Sequence, residues 1–213
     1  MNKPTAQRYH PGKHHRRSIR LRWWDYTRPG AYFVTICTHN GECLFEDLVL
    51  RRVAETMWQR IPHHFRQVQL DEFVAMPNHA HGIIWITNDE NVGVRHSREV
   101  PSSTRAGLSD EAARSMEGPL GNASPLPRGV ASGSLGAIVG NFKSVTARRI
   151  NRIRRTPGAP VWQRNYYEHI IRSEDELGPI RKYIRLNPLK WELDRENPNR
   201  SGYNPEEDWL YGE

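Results

Sequence analysis

Q-V-Q-L-D-E-F-V-A-M-P-N-H-A-H-G-I-I-W-I-T, residues 67–87, is the stretch from which the fold can be read. Two runs rich in Val, Ile and aromatic residues flank Pro77-Asn78, a pair suited to a turn. The spacing predicts strands over 67–76 and 79–87, joined as a hairpin. Upstream, A-Y-F-V-T-I-C-T-H over 31–39 has the β-branched and aromatic content of another strand. Between them, 48–65 reads as a helix: Val49, Val53, Met57 and Ile61 recur at four-residue steps, and Trp58 and Phe65 widen the stripe.

Downstream of the hairpin the pattern breaks. Residues 88–133 are rich in Gly, Pro, Ser and Ala with little apolar period, and are expected to form a mobile insertion. Order returns at Ser134. Leu135, Ile138, Val139, Phe142, Val145, Ile150 and Ile153 make one helical stripe that ends at Pro157-Gly158. Residues 161–171 read as extended. Ser173-Glu174-Asp175-Glu176 is a capping box that starts a last helix carrying Leu177, Ile180, Ile184 and Leu186, closed by Asn187-Pro188. The order strand, helix, strand, strand, helix, strand, with one added helix, predicts an α+β fold of the ferredoxin-like β-α-β-β-α-β kind. Such a fold names no function by itself.

The chain has 213 residues, 37% of them hydrophobic, and a formal net charge of +7. A basic balance suggests an anionic partner, nucleic acid being the commonest. The charge is uneven. Residues 1–28 hold Lys3, Arg8, Lys13, Arg16, Arg17, Arg20, Arg22 and Arg28 against the single acid Asp25, and read as a basic arm. A second basic zone gathers Arg148, Arg149, Arg152, Arg154 and Arg155, with Arg164 and Lys182 beyond it. Each phosphate contact from such residues would release counterions and make binding salt-dependent. Two cysteines, Cys37 and Cys43, exclude a disulfide framework and a four-sulfur zinc site. No apolar run approaches the roughly 20 residues of a membrane span, and the first residues lead into no apolar stretch, so a cytoplasmic protein is expected. The expected organisation is an arm over 1–28, a domain over 29–190 and a C-terminal tail over 191–213.

His79-Ala80-His81 is the sharpest local feature. Side chains alternate along a strand, so both imidazoles face one way and could bind one divalent metal. An isolated H-x-H is more often a pair of surface or hydrogen-bonded histidines. Tyr183 and Asn187 sit four apart on the last helix and therefore on one face. The amide oxygen of Asn187 suits a hard cation such as Mg²⁺ or Mn²⁺, and a phenol can attack phosphorus to leave a phosphotyrosine. The same helix also allows a Tyr183 that merely packs on the sheet and an Asn187 that merely ends the helix.

M-P-N-H-A-H-G-I-I-W (Met76 to Trp85) resembles the histidine-hydrophobic-histidine motif. V-W-Q-R-N-Y-Y-E-H-I-I-R (Val161 to Arg172) followed by Y-I-R-L-N-P (Tyr183 to Pro188) resembles the C-terminal half of REP-associated tyrosine transposases. The resemblance runs from about Ala31 to Leu189, apart from the insertion. It implies His79 and His81 as metal ligands, Tyr183 as the attacking tyrosine, and Asn187 as a third ligand for Mg²⁺ or Mn²⁺. It implies structural or DNA-contacting roles for Tyr166 and Tyr167, and an approach of Glu168 or His169 to the metal only weakly. The implied activity is metal-dependent cleavage and rejoining of single-stranded or hairpin DNA through a 5′-phosphotyrosine. Arg16, Arg17, Arg148, Arg149, Arg152, Arg155, Arg164 and Lys182 are the expected DNA contacts, on a protein associated with the nucleoid when bound. Related transposases can take the tyrosine helix from a paired subunit, which leaves room for a homodimer. The alternative is a non-catalytic nucleic-acid-binding protein of the same fold.

Overall fold

The computed structural model describes residues 24–88 and 130–211. Arg16, Arg17, nearly all of the basic arm and most of the 88–133 segment lie outside the described residues. Four strands, β1 (Gly30–Cys37), β2 (Val68–Met76), β3 (His79–Ile86) and β4 (Tyr167–Ile171), form one sheet in the order β2-β3-β1-β4. Every neighbouring pair is antiparallel. The hairpin turns at Pro77-Asn78, as expected. The strand expected over 161–171 is shorter: only its second half pairs with β1, while Trp162 makes an isolated bridge to Thr38.

The segment expected as one helix over 48–65 is two, α1 (Leu48–Gln59) and α2 (Ile61–His64). Pro62 lacks a backbone N–H and cannot continue α1, but it is tolerated in the first turn of α2. The Asp47 carboxylate caps α1 by accepting from Val49 and Leu50 N–H. The buried stripe is Leu50, Ala54, Met57 and Trp58, whereas Val49 is 58% exposed. The apolar face is thus offset from the one Val49 suggests. α3 (Leu135–Arg154) starts at a Ser134 cap, and Arg155 ends it in the left-handed conformation. Ile153, expected in its buried stripe, is exposed. α4 (Glu174–Leu186) is capped by Ser173 Oγ, which accepts from Glu176 N–H. The Glu176 carboxylate reaches back one residue further than a capping box requires, to Arg172 N–H. A 3-10 segment (Asn187–Leu193) and a short α5 (Glu206–Tyr211) follow.

The sheet has two covered faces. Tyr32, Val34, Ile36 and Ile84 point to α1 and α3, where Trp58 and Phe142 fill the core. Gly82 permits this packing: a Cβ there would lie 2.3 Å from the Trp58 ring. The alternate residues Ala31, Phe33 and Ile83 point to the opposite face, against Leu177, Ile180, Tyr183 and Ile184 of α4 and Leu210 of α5. His79 and His81 share that second face with Ile83 by strand alternation. Register between Leu70 and Phe73 of β2 is irregular. There Asp71 accepts from Arg181 Nε, whose one N–H is shared by both carboxylate oxygens at 3.0 and 3.1 Å, from Arg181 Nη2 at 2.5 Å, and from Trp85 Nε1 at 3.2 Å. A local irregularity thus aims a carboxylate at α4.

Candidate metal centre

Strand pairing builds the site from both sides. Cys37 lies opposite His79 and Thr35 opposite His81, and directly paired residues share a face. The two imidazoles meet with Nε2 atoms 2.9 Å apart. Both rings are buried. Burial holds His79 down to about 4 and His81 well below the usual histidine value, so both are neutral near pH 7.

The Nδ1 atoms are occupied. Asn78 Nδ2 donates to the Glu196 carbonyl at 2.6 Å and towards the Gly41 carbonyl at 3.4 Å. That orientation turns Asn78 Oδ1 to His79 Nδ1, 2.9 Å away. An amide oxygen only accepts, so His79 carries its proton on Nδ1 and leaves Nε2 bare. His81 Nδ1 meets Thr35 Oγ1 at 2.9 Å, and Thr35 Oγ1 lies 3.1 Å from the Tyr211 hydroxyl. Outer partners of this kind orient imidazoles that bind metals.

Sequence reasoning missed the carboxylate. Asp194 follows the 3-10 segment, in the stretch expected as a tail, and its Oδ2 lies 3.6 Å from His79 Nε2. Burial raises its carboxyl to about 7, with the Glu207 and Glu196 charges adding to the effect. With His79 neutral, this contact is not an ion pair at neutral pH. His79, His81 and Asp194 each offer a ligand atom within 4.8 Å of the others. Asn187, only 1% exposed, ends α4 beside Asp194. Tyr183 is 2% exposed and its ring lies 5.3 Å from the His81 ring. Its hydroxyl neighbours Tyr211 and Asn187, yet Tyr183 Oη, Asn187 Oδ1 and Asp194 Oδ2 all lack a well-formed hydrogen bond among the described residues. Burial pushes the Tyr183 phenol far up, and the Asp194 and Glu207 charges push it further.

Other candidates fall elsewhere. Glu168 pairs with Val34 and so faces α3, away from the histidines. His169 shares the histidine face but lies 3.6 Å from Glu176 and stays outside the cluster. Tyr167 donates its hydroxyl to the Leu210 carbonyl and packs on Phe33 and Tyr211. Tyr166 packs on the α3 side. Arg148, Arg149, Arg152 and Arg155 are exposed on α3, across the sheet from the histidines. Arg164 and Lys182 are also exposed. Cys37 and Cys43 are thiols, and no helix among the described residues is long and apolar enough to cross a membrane.

No family model matches the chain. An uncharacterized protein of Haemophilus influenzae is 40% identical over 199 residues, covering 88% of this chain and 96% of that protein. The chain belongs to that protein's family. Among solved structures, a REP-associated tyrosine transposase bound to a REP hairpin resembles 79% of this chain and 72% of its own, with TM-score 0.46 and 14% identity. A provisionally named transposase of Deinococcus radiodurans resembles 78% of this chain and 95% of its own, with TM-score 0.40 and 16% identity.

Proposed function

We propose that this protein cuts and rejoins single-stranded DNA through Tyr183, in the manner of a tyrosine transposase acting on hairpin-bearing elements. The observation that carries the reading is the set of three buried oxygens without a well-formed hydrogen bond among the described residues, on Tyr183, Asn187 and Asp194, beside two imidazoles whose Nε2 atoms face each other. A buried unpaired oxygen costs about 1–3 kcal/mol. Three around one histidine pair make sense as a site built for something else to enter. The order β2-β3-β1-β4 supports a ferredoxin-like sheet with α4 as the added helix that carries the tyrosine.

The residues fit a divalent cation. Two neutral imidazoles, a carboxylate and an amide oxygen form a mixed nitrogen–oxygen set that suits Mn²⁺ or Mg²⁺. His79, His81, Asn187 and Asp194 would hold it. When bound, it would supply positive charge that polarises a phosphate and favours the phenolate.

The chain's own residues do the rest. Phe33 and His81 hold the Tyr183 ring edge-on, at 6.2 and 5.3 Å. Tyr183 Oη attacks the scissile phosphorus; the Oη–P bond forms as the P–O3′ bond breaks. The phenol proton leaves to solvent, and the departing 3′ oxygen takes up a proton. The DNA 5′ end stays on the tyrosine. Attack by another 3′-OH reverses the step and joins strands. Arg148, Arg149, Arg152 and Arg155, with Arg164, Lys182 and the arm arginines Arg16 and Arg17, contact the DNA backbone. A purely binding protein would account for the surface arginines but not for the unpaired oxygens.

The test is incubation of labelled hairpin-bearing single-stranded DNA with the protein and Mn²⁺, followed by denaturing electrophoresis. A covalent protein–DNA adduct is expected from the wild type and from Tyr167→Phe, and none from Tyr183→Phe. Because the Tyr183 hydroxyl makes no well-formed hydrogen bond among the described residues, Tyr183→Phe should fold with little change in stability. An adduct that survives in Tyr183→Phe overturns the assignment.

A further inference from the structure

A cleft of roughly 380 Å³ opens between α4 and α5, lined by Gly178, Pro179, Lys182, Tyr183 and Glu206. That volume lies at the small end of ligand sites, about 300–1,000 Å³. It suits one unit of a chain, not a folded partner. Gly178 and Pro179, the two poorest helix formers, stand side by side inside α4. The fold does not require the glycine. Its φ is ordinary, and a Cβ there would meet nothing within 4 Å. A glycine that neither backbone nor packing demands leaves a bare helix surface, which lets another backbone come close.

The side chains one turn on fit the same purpose. Gly178 and Lys182 share a helix face, as do Pro179 and Tyr183. Lys182 is exposed and has no ion pair among the described residues. Glu206 is the one acid among the described lining residues, and Lys190 Nζ holds its carboxylate at 2.6 Å. Lys182 is therefore the charge in the described lining that no ion pair among the described residues matches. Tyr183 contributes a buried hydroxyl without a well-formed hydrogen bond among the described residues.

We propose that this cleft seats the nucleotide next to the scissile phosphate, its backbone against Gly178 and its phosphate on Lys182. The assignment rests on the strand-cleavage reading above for its position in the reaction, but binding tests it separately. The α3 arginines lie across the sheet, so a short single strand in the cleft does not reach them.

The experiment measures binding of a short, fluorescently labelled single-stranded oligonucleotide to the full chain over a range of salt. Gly178→Leu fills the cleft with a better helix former, so its melting temperature should equal or exceed that of the wild type. Its affinity for the oligonucleotide should fall at least about tenfold, a loss within what blocked positioning causes. Its Mn²⁺ affinity should not change. Lys182→Glu, a change at an exposed site, should also weaken binding. The milder Lys182→Gln should flatten the salt dependence by about 0.7, the value for one phosphate contact on a single strand. Wild-type affinity in Gly178→Leu or Lys182→Glu would overturn the proposal, as would a wild-type protein that does not bind the oligonucleotide. Absence of a covalent adduct alongside these losses would overturn the strand-cleavage reading and leave the cleft assigned as a single-strand site.

Discussion

At the scale of the residue, Asn78 and Asp194 set the chemistry of the histidine pair. Asn78 is pinned by two backbone carbonyls, and its oxygen keeps the His79 proton on Nδ1. Asn78→Ala should let the ring change tautomer and should weaken Mn²⁺ binding about 10–100-fold, the usual cost of losing such a partner. ¹⁵N shifts of the His79 ring, taken on the metal-free protein, check the tautomer directly. Asp194 makes the site pH-dependent. Its carboxyl is raised from 3.8 to about 7, so the folded state binds more protons than the unfolded state between those values. The stability of the metal-free protein should therefore fall as pH rises through that window. A cation needs the carboxylate, so Mn²⁺ binding should release about one proton near pH 6 and almost none near pH 8. Calorimetry in buffers of different ionisation enthalpy counts that proton. Equal release at both pH values would remove Asp194 from the ligand set.

At the scale of the element, α4 is held on its own sheet. Arg181 and Asp71 form an ion pair in which both Nε and Nη2 donate, with side chains 14% and 15% exposed. Burial alone would raise the Asp71 carboxyl, but the bonds from Arg181 and Trp85 outweigh it and lower the value. The pair's contribution is thus present at neutral pH and disappears as pH falls through the acid range. Asp71→Ala leaves Arg181 without its partner in a largely buried place and should cost about 3 kcal/mol in urea unfolding. It should also loosen α4 and reduce adduct formation, because Tyr183 lies two residues beyond Arg181. The irregularity in β2 that turns Asp71 to this helix is not visible in an alternation of Val, Leu and Phe.

At the scale of the whole molecule, the sheet separates two surfaces. One face carries the histidine pair, α4 and α5; the other carries α1 and α3 with the exposed arginines. Replacing Arg148, Arg149 and Arg152 by Ala should weaken DNA binding and flatten its salt dependence, by about 0.7–0.9 for each phosphate no longer neutralised. The rate of adduct formation at saturating DNA should stay unchanged, since none of the three reaches the histidine face. A fall in the saturated rate would mean that α3 helps assemble the cleavage site.

Much of this architecture is local and can be read from the sequence. Period-two alternation places His79 and His81 on one face, and a four-residue step does the same for Tyr183 and Asn187. Each relation depends only on neighbours along the chain. The offset stripe of α1 and the short β4 depart from expectation because burial there depends on which residues the sheet presents. Thr35 enters the site through strand register, and Asp194 and Tyr211 through the return of the chain over α4. No periodicity links those positions to the histidines. Neighbours along the chain set the paired imidazoles and the tyrosine–asparagine face; the carboxylate and the far-side arginines take their places from packing between distant segments, which depends on the whole sheet and not on any stretch within it.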